Sequence, residues 1–238
     1  MIFNVIIVIN PIILLRGFIT IIFLFIFGGF FMNKNLVIID VDDVLIDLNK
    51  SVERRINSLG YPAFKAENIK TYDLNKSVDV SMLPESNRKL MDNGLGCPRD
   101  LIMRCYNDVK VFEDAELEEN FYEGLKLLSE NFNVLIHTNN FNLEIVRFKI
   151  DLFQKYCNNL DLNYNFCVGS DKPAFSDVYA VFEDCIGNTI KYSDSCKKIL
   201  VDKPHNSELF NKESFSVVKN LQRVKNFYEG VEFLLKEC

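Results

Sequence analysis

The sequence predicts an α/β protein with a doubly wound, Rossmann-like parallel sheet. Three observations predict it. Short, continuous apolar runs recur through residues 34–238, as expected of parallel strands buried on both faces. Between them lie segments whose apolar residues recur at helical spacing, the alternation of a βαβ chain. Several runs stop abruptly in polar or charged residues, and in an open α/β sheet ligands bind beyond the carboxyl ends of the strands.

The first strand is "NLVIID" (35–40). The next convincing one, "NVLIHT", begins only at residue 133, much further on than one crossover helix requires. The intervening text includes the polar, turn-rich "KTYDLNKSVDVSMLPESNRKLMDNGLGCPRD". Residues 47–115 therefore read as a small, mainly helical cap above the strand ends, and 32–46 with 116–238 as the core. "ELEENFYEGLKLLSEN" (116–131) sets Leu117, Phe121, Leu125 and Leu128 at helical spacing. A second helix is expected over 142–160 and a last one over 226–238. Further strands are expected at 164–169, 178–184 and 197–202. There are no internal repeats.

Residues 1–31 are almost wholly apolar, with Arg16 their one charge. They admit three readings. A bilayer is spanned by about 20 apolar residues, so the segment could be a membrane anchor, although Pro11 and Arg16 interrupt it. A signal peptide would want a basic n-region and a small-residue cleavage site, and neither is present. An upstream extension would leave Met32 as the start of a cytoplasmic chain that enters its first strand within a few residues. The whole chain carries a formal charge of −6 and has no basic tract, which excludes a duplex nucleic-acid partner. Small anionic ligands remain compatible, as does a homodimer. The seven cysteines are scattered with no C-x-x-C pair, so reduced thiols are expected rather than a disulfide framework or a zinc site.

The chemistry gathers at the strand ends. Strand one delivers Asp40, Asp42 and Asp43; strand two ends in His137, Thr138, Asn139 and Asn140. "GSDKPAF" with Lys172 follows strand three, and strand four ends in Glu183 and Asp184, followed by Asn188. Alone, each has a bland reading: a capped turn, a strand-end hydroxyl, a solvated lysine, a helix cap. Together, at the ends of successive strands, they suit phosphoryl transfer. Crowded carboxylates repel unless a cation lies among them, and hard oxygen ligands suit Mg²⁺. A hydroxyl, backbone N–H groups and an ammonium can hold a phosphate, and a carboxylate in line with phosphorus can act as nucleophile.

These four elements resemble the motifs of the haloacid dehalogenase-like (HAD) hydrolase superfamily. Asp40-Val41-Asp42-Asp43-Val44 is similar to its D-x-D-x-[TV], "VLIHT" to its strand ending in Thr or Ser, Lys172 to its lysine, and Glu183-Asp184 to its acidic pair. The resemblance covers residues 34–238, and the long segment after the first motif lies where the family's helical cap lies. Two departures stand out: the family commonly has Gly where this chain has Asp43, and Asp-Asp where it has Glu183-Asp184. Within the superfamily, "DVDDVL", "VFEDAELEENFYEGLKLL" and "ILVDKPHN" resemble the 5'(3')-deoxyribonucleotidase-like group.

The resemblance implies a Mg²⁺-dependent phosphatase of (deoxy)nucleoside monophosphates that works through an aspartyl-phosphate. Asp40 would be the nucleophile and Asp42 the general acid and base. Thr138, the Asn139 backbone and Lys172 would hold the phosphoryl group. Asp40, the Asp42 carbonyl and Asp184 would ligate the metal, with Glu183 as alternate. A sugar phosphate is the alternative substrate, and a non-catalytic or membrane-tethered binding protein is a third reading. Phe64, Tyr72, Tyr106 and Phe112 are candidate platforms for a base or, alternatively, packing residues of the cap. His137 is expected beside the site, and His205 bonded to a turn.

Overall fold

The structure is a computed structural model that describes residues 5–7, 34–60, 64–69, 85, 98–140, 142–157, 162, 164–169, 177–207 and 218–237. Its strands are β1 (Val5–Ile7), β2 (Leu36–Asp40), β3 (Ile46–Asp47), β4 (Glu116–Leu117), β5 (Asn133–Thr138), β6 (Tyr164–Val168), β7 (Val178–Glu183), β8 (Lys197–Val201) and β9 (Leu221–Val224). The helices are numbered α1 (Leu48–Ser58), α2 (Pro98–Tyr106), α3 (Val109–Glu113), α4 (Phe121–Asn131), α5 (Leu143–Cys157), α6 (Ile186–Thr189), α7 (Pro204–Ser207) and α8 (Phe227–Lys236).

The main sheet runs in the order β1-β6-β5-β2-β7-β8-β9 and its pairings are parallel. The predicted α/β class is therefore the observed one. From β2 the chain first winds through β5 and β6 on one side. It then returns to β2's other edge and continues through β7, β8 and β9. That reversal makes the carboxyl end of β2 the topological switch point of the sheet, where an α/β fold opens its ligand crevice.

Alternation along the strands divides the core. Val37, Ile39, Val134, Ile136, Ala180, Phe182 and Ile199 face one way. They meet Phe121, Leu125 and Leu128 of α4 and Phe227, Val231 and Leu234 of α8. Ile38, Leu135, Cys167 and Val181 face the other way, with Tyr192 and Cys196. Both faces exclude water, which is why these strands are continuous apolar runs.

A two-residue antiparallel hairpin, β3 with β4, pairs Ile46 with Leu117 and Asp47 with Glu116. It brackets α1, α2 and α3. Leu48, Val52 and Ile56 of α1 join Phe64, Ile69, Ile102, Cys105, Val111 and Phe112 in a cluster separate from the sheet's. Helix α5 belongs to both clusters, with Ile145 in the second and Val146 and Phe153 in the first.

Several expectations shift at their edges. The helix expected from 116 begins at Phe121, because Glu116 and Leu117 are spent on β4 and Asn120 turns the chain with φ 55. β9, "LQRV", escaped the apolar-run criterion because three of its four residues are only half-buried. β1 pairs with β6 within the apolar leader. The leader's other residues, Tyr72 and Lys172 lie outside the described residues. Among the described residues no helix is long and apolar enough to cross a membrane. Five free cysteines are described, of which Cys105, Cys157, Cys167 and Cys196 are buried.

Candidate active site

Three neighbouring strands end at one level. Asp40 is registered with His137 of β5, and Ile39 with Phe182 of β7. Thr138 and Glu183 each come one residue later, so both lie beside Asp40 at the carboxyl edge. Asp40 is 9% exposed, and Thr138 and Glu183 are fully buried. Ligand oxygens of Asp40, Glu183 and Asp184 all lie within 4.8 Å of one another. Three acidic side chains this close, in a site this enclosed, repel unless a cation or protons balance them. An all-oxygen set fits a hard divalent ion. Glu183 is steadied by Asn188 of α6, whose Nδ2 donates to its Oε2 at 3.1 Å.

After β2 the chain makes a tight turn, with the amides of Leu45 and Ile46 both donating to the Val41 carbonyl at 3.0 Å. Asp43 sits in that turn at φ 58, a left-handed conformation that Gly adopts freely and that Asp tolerates better than most residues. Its carboxylate then does what a glycine cannot. Oδ1 accepts from the backbone amides of Leu48 and Asn49 at 3.0 Å each, and Oδ2 accepts from Asn49 Nδ2 at 2.7 Å. Burial, reinforced by the charge of Asp184, pushes the Asp43 carboxyl up to about 7. Asp42, just before it, has its side chain 29% exposed.

A lysine of the site that sequence reasoning missed is Lys149. It rises from α5 and has no exposed surface. Its Nζ donates to Asp42 Oδ2 at 2.7 Å and to Thr138 Oγ1 at 2.8 Å, and it lies 5.0 Å from the centre of the Phe112 ring. One ammonium thus ties together the second aspartate of the first motif, the hydroxyl of the second and the helical segment bracketed by β3 and β4. The signal was present in the text. Ile145, Val146, Lys149, Phe153 and Cys157 are the buried residues of α5, so a lone cation stands in the helix's apolar stripe.

The other expected residues distribute as follows. Asn139 follows Thr138 and its side chain is exposed. His137 is fully buried on β5. His205 differs from expectation: it does not merely bond a turn but reaches Asp184, with Nε2 2.8 Å from Oδ2. Burial disfavours the charged ring, but the hydrogen bond and charge of Asp184 outweigh it and move the His205 pKa upward. Phe64 and Phe112 are 6% and 0% exposed inside the second cluster, so neither offers a free face. Tyr106 is committed through its hydroxyl to Asn49 Oδ1 at 2.7 Å. A cavity of about 490 Å³ is lined chiefly by Asp47, Asn49, Lys50, Glu53, Lys65 and Lys203, and not by Asp40, Thr138, Lys149, Glu183 or Asp184.

No family profile matches the sequence, and no curated protein matches it as a relative. Solved structures do. One is a haloacid dehalogenase-like family hydrolase from Streptococcus pneumoniae, at 14% identity and a TM-score of 0.51, over 86% of this chain and 99% of that one. A HAD hydrolase from Bacillus subtilis bound to magnesium is 12% identical, with a TM-score of 0.48 over 84% and 98% of the two chains. A protein from Thermotoga maritima described as a beta-phosphoglucomutase is 17% identical, with a TM-score of 0.46 over 85% and 99%. Likeness at such identity concerns architecture, and chemistry has to be read from the site itself. By the Streptococcus pneumoniae match, the chain is similar in fold to the haloacid dehalogenase-like hydrolases.

Proposed function

We propose that this protein is a Mg²⁺-dependent phosphatase of small phosphomonoesters, with Asp40 as nucleophile. The observation that carries the reading is the convergence of Asp40, Thr138, Glu183 and Asp184 at the switch point of the sheet, with Lys149 bridging Asp42 and Thr138. Asp40, Glu183, Asp184 and the Asp42 carbonyl would hold the metal. Bound there, Mg²⁺ would neutralise the carboxylates and screen the charge that builds on the phosphoryl oxygens.

In the first step an Asp40 carboxylate oxygen attacks phosphorus. The ester P–O bond breaks, and the leaving alkoxide takes a proton from Asp42. In the second step Asp42 takes a proton from water, whose oxygen attacks phosphorus of the aspartyl-phosphate, releasing phosphate and restoring Asp40. Thr138 Oγ1, the Asn139 backbone amide and Lys149 hold the phosphoryl oxygens throughout. Positioning and charge stabilisation supply most of the rate, as is general in phosphoryl transfer. Lys172, the lysine of the motif-like position, would be the alternative cation for the same group.

For the substrate's other half, a sugar phosphate is better supported than a nucleotide. Among the described residues, Phe64 and Phe112 are buried among apolar neighbours and offer a base no ring face to stack on. The deciding experiment is phosphate release from a panel of sugar phosphates and 5'- and 3'-nucleotides, with Mg²⁺ and with chelator. Hydrolysis of sugar phosphates that stops with chelator is expected. A preference for deoxynucleotides restores the narrower reading, and no hydrolysis of any ester removes the phosphatase.

A further inference from the structure

A chain of buried polar groups runs from the helical segment to the acidic cluster, and no step of the phosphatase chemistry uses it. Tyr106, the last residue of α2, donates its hydroxyl to Asn49 Oδ1 at 2.7 Å. Burial first, and the surrounding carboxylates second, hold that phenol far above its usual pKa, so it stays a donor. With Oδ1 occupied, Asn49 Nδ2 faces Asp43 Oδ2 at 2.7 Å and His205 Nδ1 at 3.2 Å. His205 Nε2 meets Asp184 Oδ2 at 2.8 Å. Asn49 is 3% exposed, Asp43 4% and His205 4%.

The directions of these bonds follow from the donor inventory. Asn49 has one acceptor and one amide group. Tyr106 takes the acceptor, so the amide nitrogen must serve both Asp43 and His205. A ring whose Nδ1 accepts from that amide carries its proton on Nε2, and a doubly protonated ring carries one there as well. In either charge state Nε2–H points at Asp184. The far side of Asp184 is also held, because Asn206 Nδ2 donates to its backbone carbonyl at 2.9 Å and to that of Val201 at 2.7 Å.

We infer that His205 is a positioning residue that aims the Asp184 carboxylate at the metal, and that the Tyr106–Asn49–His205 chain makes metal affinity depend on how α2 is seated. The inference rests on the metal reading proposed above. A histidine donating to a ligating carboxylate fixes which lone pair faces the ion, and partners of this kind typically govern metal affinity by about 10–100-fold. When α2 is seated, Tyr106 orients the Asn49 amide. Lifting α2 away removes the bond that decides which end of the amide faces His205. By linkage, metal binding then favours the seated helix as much as the seated helix favours metal.

Asp43, Asp184 and His205 also bring ligand atoms within 4.8 Å of one another, so the trio could be read as a second metal site. Their bonding argues against it. Both oxygens of Asp43 already accept from Leu48 and Asn49, Nδ1 of His205 is taken up by the Asn49 amide, and the remaining ring nitrogen points at Asp184.

The test is direct titration of the full chain with Mg²⁺ by calorimetry, and with Mn²⁺ by electron paramagnetic resonance, without substrate. His205→Leu is expected to weaken binding about tenfold or more, and Tyr106→Phe about fivefold. His205→Gln, whose amide can replace the Nε2 donor, is expected to restore most of it. Tyr106→Phe is expected to add little in the His205→Leu background. Melting in chelator checks that each variant folds; if His205→Leu does not, Tyr106→Phe, which loses one oxygen atom, carries the test alone. Unchanged affinity in Tyr106→Phe, or a full additional loss in the double variant, overturns the relay and leaves the metal site standing. A second Zn²⁺ equivalent that disappears in His205→Leu also overturns it, by making the trio a ligand set. No Mg²⁺ or Mn²⁺ binding by the unaltered chain removes the metal site, and the relay with it.

Discussion

Asp40 and Lys149 show how differently two residues of one site declare themselves. Asp40 is legible because a buried strand ending in carboxylates is costly unless something balances the charge. Lys149 sits in a long helix with no motif around it, and only its place in an apolar stripe gives it away. Lys172 occupies the motif-like position and lies outside the described residues, so the two lysines call for separate tests. Asp40→Asn is expected to lower turnover by roughly 10³-fold or more while leaving the circular dichroism spectrum unchanged. A variant that still released phosphate at near the original rate would exclude Asp40 as nucleophile. Lys149→Met is expected to reduce kcat/KM by roughly 10²–10³-fold. It should also destabilise the protein by about 1–3 kcal/mol in urea titration, because Asp42 and Thr138 lose their shared donor. If Lys149→Met is silent and Lys172→Ala is not, the phosphate is held by Lys172.

At the level of elements, the interior strands were readable to within a residue or so because both their faces are buried. β5 matches its expected span, Asn133–Thr138. The pieces that escaped are those whose existence depends on a partner. β3 and β4 are two residues each and have no meaning apart from one another, and β9 is a half-buried strand at the sheet's edge. Helix seating is another property that only coordinates reveal. At Gly230 of α8, an added Cβ would come within 2.8 Å of Ile199 Cγ2 and of Phe182 Cε1, and both of those side chains are fully buried. Gly230→Ala therefore gains helix propensity and loses more to overpacking, a net cost of about 1–3 kcal/mol. Chemical denaturation measures it, and a stabilised variant would mean that α8 can lift from the sheet without penalty.

For the molecule as a whole, the proposed metal would be linked to stability. An ion that binds the folded chain at a hundredfold excess over its Kd contributes about 2.7 kcal/mol. For a protein of this size that raises the melting temperature by roughly 5–10 °C. Saturating Mg²⁺ is expected to give such a rise in the unaltered protein and none in Asp184→Asn; an equal rise in both would place the ion elsewhere. The thiols report on the integrity of the core. Burial pushes Cys105, Cys157 and Cys196 up to about 11 and Cys167 up to about 12. All four should resist alkylation at pH 8 until denaturant is added, as peptide mapping would show, and modification of Cys167 in the folded protein would mean that its strand opens. The fold class was legible because it rests on repeated patterns along the whole chain. The buried relay from Tyr106 to Asp184 was not, since its members stand far apart in sequence and meet only when the sheet and helices assemble. The tiny hairpin of Ile46–Asp47 with Glu116–Leu117 has a last consequence. Outgoing and returning strands leave the sheet side by side, so the stretch between them departs and returns at one place, while Ile145, Lys149 and His205 touch it from outside. A stretch of different length could be spliced in at that place without re-laying one rung of the ladder beneath, provided that it again covers Ile145, Lys149 and His205.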